Sequence, residues 1–303
     1  MKPTWDTLRL HHVDLHYHAG TERPDGYSMY DYINYAHLSG RRILGVTDHF
    51  GRYLGGSRKP LLHYEGSPEG YQQFARDIND AREHFPDMTL LLAPEIGISA
   101  LMSDRADVAF TAAHADMFLG EPGGAMGEWS VGETYIRALD AMARYRDRFG
   151  APCVFVHPWR SHVNDLVGKG GIEPDVEPPD CLRLPKSEQL PPLSSYDDPV
   201  AHVEQLFDVD IAALAHAAVE HDIPFEINES TWGRMLAHNA EWFGERYLFI
   251  FRTLMDAGVE VVLGSDLHGV TSPAPTPFHV AQPLGLQPSD MRFLRHWLGP
   301  EER

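Results

Sequence analysis

Asp14-Leu15-His16-Tyr17-His18 is the stretch on which the reading of this 303-residue chain turns. Side chains alternate across an extended strand, so His16 and His18, two residues apart, point to one side and can share a cation. One His-x-His pair carries little weight alone, because imidazoles also sit packed in cores and solvated in loops. Its meaning comes from a recurrence further along the chain.

Residues 12–18 read as a first strand, with a turn at Pro24-Asp25-Gly26 and a helix from Asp31 to Leu38 stopped at Gly40. The apolar run Ile43 to Thr47 ends at Asp48-His49, and Thr89 to Ala93 delivers Glu95. Between them Ser67-Pro68 opens a helix whose Tyr71, Phe74, Ile78, Ala81 and Phe85 form one apolar stripe, a packing face. Asp104 to His114 reads as a helix, and Asp116 to Gly120 as a strand arriving at Glu121. Ser130 and Glu133 form a capping box for a helix that reaches Phe149 and stops at Gly150. Cys153 to Val156 ends in His157-Pro158; Pro224 to Asn228 and Val259 to Leu263 are the last two strands, and Gly264-Ser265-Asp266-Leu267-His268 follows the second. Helices are expected at Ala201 to Phe207, Asp210 to His221, Ala240 to Asp256 and Ser289 to Leu298. Trp159 to Pro199, rich in proline, glycine and charge, reads as an insertion within a single domain covering residues 1–303.

Seven apolar strands interleaved with helices indicate a parallel α/β architecture. An open doubly wound sheet gathers ligands at one switch point, whereas a barrel collects them from many strand ends. Here His16, His18, His49, Glu95, His157, Asp266 and His268 follow five strands spread over the chain, so the expectation is a barrel.

A hydrophobic content of 43% supplies a large core, and a net charge of −19 argues against a surface that grips nucleic acid. An anionic substrate would need local positive charge, which bound divalent cations provide. Cys153 and Cys181 are isolated, the first ten residues lack the apolar core of a signal peptide, and no run spans a bilayer. The expected location is the cytoplasm.

Taken in order, Asp14 to His18, Val46-Thr47-Asp48-His49, Pro94-Glu95-Ile96, Val156-His157-Pro158, Glu226-Ile227-Asn228 and Gly264 to His268 resemble the PHP family, the polymerase and histidinol phosphatase superfamily of metal-dependent phosphoesterases. The resemblance implies a distorted seven-stranded (β/α) TIM-like barrel and a cluster of two or three divalent ions, zinc, manganese or iron. One would be held by His16, His18, Glu95 and Asp266, a second by Asp25, His49 and His268, and a third by Glu95, His157 and one more ligand. Imidazole and carboxylate donors without thiolate suit any of these metals. The remaining ligand is left open between His114 and Glu121, with geometry favouring Glu121 because it follows the fourth strand.

The implied reaction is hydrolysis of a small phosphate monoester by a metal-bridging hydroxide. Arg160 is placed to clamp the phosphate, with Arg23, Arg52, Arg58, Lys59 and Arg234 as weaker candidates on loops at the same face. His12 and Asp14 would support the ligands from behind, Asn228 would satisfy backbone groups, and His37, His63, His84, His202, His216, His221, His238 and His279 would be solvated or packed. Hydrolysis of a C–N or C–O bond in the manner of amidohydrolases, and a metal-binding module without catalysis, are the competing readings.

Overall fold

In the computed structural model of the chain, the described residues are 2–19, 27–50, 68–103, 105–122, 126, 128–160, 162, 190–237, 241–268 and 281–299. Nine strands are present among them: β1 (Val13–His18), β2 (Ile43–Thr47), β3 (His49–Phe50), β4 (Thr89–Leu92), β5 (Glu95–Gly97), β6 (Phe118–Glu121), β7 (Cys153–Phe155), β8 (Phe225–Asn228) and β9 (Val261–Gly264). Every pairing is parallel. β1, β2, β8 and β9 are buried at each position, so continuous apolar runs replace the alternation of a half-exposed sheet.

The strands form a sheet of three in the order β1-β2-β4 and a sheet of six in the order β3-β5-β6-β7-β8-β9. The expected parallel α/β architecture is present, with its strands in two sheets rather than one closed wall. The runs Ile43 to Thr47 and Thr89 to Ala93 are each followed by a further short strand, β3 past Asp48, whose carboxylate accepts the His49 N–H at 2.9 Å, and β5 past Pro94, which has no N–H to give the ladder. Backbone bonds still cross the breaks, from Ala93 N to Val46 O at 3.1 Å and from Glu95 N to Asp48 O at 2.9 Å. Beyond the end of β9, Asp266 N donates to His16 O at 2.7 Å and His18 N to Leu267 O at 3.1 Å.

Eleven α-helices accompany these strands among the described residues: α1 (Met29–Leu38), α2 (Pro68–His84), α3 (Ile98–Met102), α4 (Ala106–Ala113), α5 (Val131–Phe149), α6 (Pro199–Phe207), α7 (Ile211–Glu220), α8 (Glu229–Ala237), α9 (Glu241–Asp256), α10 (Ala281–Leu284) and α11 (Arg295–Leu298). α1 begins two residues before the expected Asp31 because Ser28 is its cap, exchanging bonds with Asp31. α5 is closed as its sequence requires, with the Ser130–Glu133 box at one end and Gly150, at φ 79°, in the left-handed region at the other. In α2 the expected stripe of Tyr71, Phe74, Ile78 and Ala81 is buried. α3 and α8 start directly after strand ends, with no separating loop for the sequence to reveal. The expected final helix is instead two 3-10 turns, Pro288–Asp290 and Arg292–Leu294, followed by the short α11.

Trp159 is fully buried among Tyr135, Phe207, Tyr247 and Phe251, and its backbone N–H donates to Tyr135 Oη at 2.8 Å. Trp159, where the expected insertion begins, is thus a core residue. Near the other bound of that stretch, Arg246 of α9 donates to Pro191 O at 2.7 Å and Glu245 accepts Leu193 N–H at 3.0 Å. Residues 163–189 between these roots lie outside the described residues. No helix among the described residues is long and apolar enough to cross a membrane.

Candidate metal centre

The centre begins at an irregularity in β1. Its pairing with β2 shifts between Asp14 and Tyr17, a bulge that places Leu15 and His16 opposite Gly45 alone. Gly45 is required there, because a Cβ would lie 2.1 Å from Leu15 O. Around this bulge His16 and His18 converge, with their Nε2 atoms 3.0 Å apart.

Two carboxylates meet these nitrogens. Glu95 Oε2, at the start of β5, is 3.5 Å from His16 Nε2 and 3.2 Å from His18 Nε2. Asp266 Oδ1, after β9, is 3.7 Å and 3.3 Å from the same atoms. Donors around a tetrahedral ion with bonds of about 2.05 Å are separated by about 3.3 Å, which lies within this range. Among the described residues, Glu95 Oε2 and Asp266 Oδ1 are both buried and accept no hydrogen bond in good geometry. The donor set therefore fits a divalent cation on shape, chemistry and unspent acceptor capacity.

Glu95 reaches further. Its Oε2 is 2.7 Å from His49 Nδ1, and its other oxygen is 2.8 Å from His157 Nε2, so the carboxylate stands between histidines from β1, β3 and the end of β7. His49 also shares ligand-sized spaces with His18 and His268, and with Glu95 and Glu121. The His18 and His268 rings stack at 3.9 Å. Glu121, at the carboxyl end of β6, is thus the residue brought to the cluster. His114 instead caps α4, exposed, with Nδ1 2.8 Å from Phe110 O. Asp25 lies outside the described residues.

Of the five non-glycine residues with positive φ among those described, Asp208 and Asp222 follow helices elsewhere and three lie at or beside the cluster. His157, Trp159 and Asp266 adopt φ of 29°, 61° and 52°, in the left-handed region that side chains other than glycine avoid, and such residues gather at functional sites. Arg160, one turn beyond His157, lays its guanidinium against Asp266 Oδ2 and reaches Ser230 Oγ at 3.3 Å. Asp14 is buried behind the ligands, where it accepts Ser265 N–H at 2.9 Å, with Arg41 Nε 3.8 Å away. Burial raises its carboxyl pKa against the opposing pull of Arg41. His12 does not support the site; its Nδ1 accepts Arg9 N–H at 3.1 Å.

Charge is closely balanced. Burial alone would lower the His16 and His18 imidazoles, but the surrounding carboxylates outweigh it, Glu226, Glu95 and Asp266 raising His16 and Asp266 and Glu95 raising His18 to about 9. Conversely, burial would raise Glu95 and Asp266, yet His49, His16 and His157 hold the first well below the usual carboxylate range, and Arg160, His268 and His16 hold the second there. Anionic acceptors packed against basic nitrogens in a buried space demand positive charge, as protons or as a metal.

Glu226 had no assigned role in the sequence reading beyond its place in a motif. It accepts from His16 Nδ1 at 2.9 Å, from the His157 N–H at 2.7 Å and from Asn228 Nδ2 at 3.1 Å. Asn228 also accepts Thr231 N–H at 2.8 Å, as a strand-end residue should. Of the weaker arginine and lysine candidates, Arg23, Arg52, Arg58 and Lys59 lie outside the described residues, as does the side chain of Arg234. His37, His84, His202, His216 and His221 pair locally, with Asp87, Tyr30, Arg246, Glu220 and Asp140; His63, His238 and His279 are outside the described residues. A separate cleft of about 240 Å³ opens at the amino end of β7, lined by Arg146, His221, Asp222 and Phe293, away from all of these ligands.

No protein-family model and no curated protein matches the chain. Among solved structures it is similar to a provisionally assigned histidinol phosphatase from Listeria monocytogenes, at 11% identity and a TM-score of 0.45, covering 85% of this chain and 95% of that one. It is also similar to an amidohydrolase with bound zinc from Burkholderia ambifaria, at 15% identity and a TM-score of 0.38, covering 90% of this chain and 62% of that one.

Proposed function

We propose that the chain is a metal-dependent phosphoesterase of PHP type, hydrolysing a small phosphate monoester at a cluster of two or three divalent ions. The observation that carries this reading is the position of Glu95, whose two oxygens face His16, His18 and His49 on one side and His157 on the other. One ion would be held by His16, His18, Glu95 and Asp266, and His49, Glu121, His157, His268 and Asp25 would supply the others. Such ions supply Lewis acidity, an activated water and neutralisation of phosphoryl charge.

The protein's own part is orientation. Glu95 gathers four histidines from three strands around one carboxylate, and Asp266 carries Arg160 beside them. The planar guanidinium fork suits two phosphoryl oxygens at once, so Arg160 is assigned the substrate phosphate, with Ser230 steadying it at 3.3 Å. We read the two sheets as arcs of one distorted seven-stranded (β/α) barrel, a reading supported by the Asp266–His16 and His18–Leu267 backbone bonds of 2.7 and 3.1 Å that join β1 to the segment after β9. The carboxyl ends of its strands would then form the active face.

The test is to load purified protein with zinc, manganese or iron and assay phosphate esters, carboxylic esters and amides side by side. Phosphate release supports the proposal. Cleavage of C–N or C–O bonds alone makes the protein an amidohydrolase-like enzyme, and inertness with every metal makes it a binding module.

A further inference from the structure

Glu226 is 1% exposed and lies on β8. Its carboxylate nevertheless has three donors, His16 Nδ1 on one oxygen and the His157 N–H and Asn228 Nδ2 on the other. Room for it is made across the sheet: Asn228 pairs with Gly264 of β9, and a Cβ on Gly264 would lie 1.8 Å from Glu226 Oε1 and 2.7 Å from the His16 Cβ. A buried carboxylate, a strand position that must be glycine, and two histidines from β1 and β7 thus meet at one point.

We propose that Glu226 is the positioning residue of the metal centre, fixing the tautomer of His16 and the backbone of His157 together. This rests on the cluster being a metal site. With its proton on Nδ1 and directed at Glu226, neutral His16 turns the Nε2 lone pair towards His18, Glu95 and Asp266. The other oxygen holds the N–H of His157 at 2.7 Å, where the chain takes φ 29°, and so maintains a strained turn that aims His157 Nε2 at Glu95.

Only a group that accepts at both ends satisfies this arrangement. A glutamine with its amide oxygen towards His16 turns its NH2 against the His157 N–H, donor to donor. Flipped, it satisfies His157 but donates to His16 Nδ1, which drives the His16 proton onto Nε2 and into the ligand space. Either orientation damages one of the two histidines.

The experiment is chelator-competition titration of zinc and manganese into wild type and Glu226→Gln, with circular dichroism to establish folding. Affinity should fall about 10- to 100-fold in the variant. Gly264→Ala, which keeps every donor but places a methyl where Oε1 lies, should shift affinity in the same direction. A folded Glu226→Gln with wild-type affinity overturns the inference, whereas a wild type that binds neither metal overturns the metal-centre reading instead. Should the variants fail to fold, histidine 15N NMR of the zinc-loaded wild type decides: His16 protonated at Nδ1 and metallated at Nε2 supports the role, and metallation at Nδ1 overturns it.

Discussion

His16 and His18 bring their Nε2 atoms to 3.0 Å although β1 bulges between Asp14 and Tyr17. Both imidazoles are buried, and both nitrogens face carboxylate oxygens. The two nitrogens thus meet more closely than simple alternation along a strand requires, and the consequences can be measured.

Protons and metal should compete for this space. In chelated protein His18 has a pKa of about 9 and His16 is also raised, burial working against the shift in each and neighbouring carboxylates producing it. A histidine whose folded pKa exceeds its unfolded value of about 6.5 contributes stability that is complete below that value and lost as pH rises through the folded pKa. Thermal midpoints of chelated protein should fall between about pH 6.5 and 9, while metal binding strengthens over the same window because it releases those protons. Calorimetry in buffers of different ionisation enthalpy measures the release; binding without proton release at pH 7 would contradict the account.

Arg160→Ala should lower kcat/KM for phosphate esters by roughly 10²-fold, the scale for losing one oriented charged donor, and leave the number of bound ions unchanged. Arg160→Lys should recover only part of this, since an ammonium cannot reproduce the fork that rests on Asp266 and Ser230. Steady-state kinetics with parallel metal analysis make the check, and unchanged turnover in the alanine variant removes Arg160 from the site.

The choice between Glu121 and His114 predicts a selective loss. Glu121→Ala should reduce the metal content by one ion or weaken one binding step about tenfold or more, because its carboxylate shares a ligand space with His49 and Glu95. His114→Ala should leave all steps intact, since that ring lies on Phe110. Metal titrations that show the reverse pattern would return the ligand role to His114.

Glu260, at the opposite end of the strands, gives a stability test independent of the metals. Burial lifts its carboxyl from an ordinary 4.5 to about 7, against the Phe293 N–H and Arg292. The folded chain therefore retains a proton that the unfolded chain has released, and stability falls as pH rises from about 4.5 to 7 and stays lower above it. Glu260→Gln keeps an acceptor for Phe293 and should be the more stable form at pH 8, on the order of 2 kcal/mol. Urea midpoints at pH 5 and pH 8 check this, and an equal pH slope in the two proteins would contradict it.

Much of the site was legible because ligand-type residues interrupt apolar runs: His49 after Ile43 to Thr47, Glu95 after Thr89 to Ala93, His157 after Cys153 to Val156. Polarity at the end of a buried strand is a local signal, and Glu121 could be preferred to His114 by the same rule. Glu226 was not legible as a partner of His16, because its hydrogen bond spans 210 positions and only the sheet order brings the two together. The strands β3 and β5 were hidden for a different reason: His49–Phe50 and Glu95–Gly97 are too short to leave an apolar run of their own. α3 and α8 escaped notice because they follow strand ends without the turn residues that punctuate longer connections.

The most direct measurement is anomalous diffraction from crystals of the protein loaded with zinc or manganese, recorded at the metal edge. The account predicts at least two peaks flanking the Glu95 carboxylate, one of them about 2.0–2.2 Å from His16 Nε2 and His18 Nε2. Saturating metal with no peak among His16, His18, Glu95 and Asp266 would contradict it.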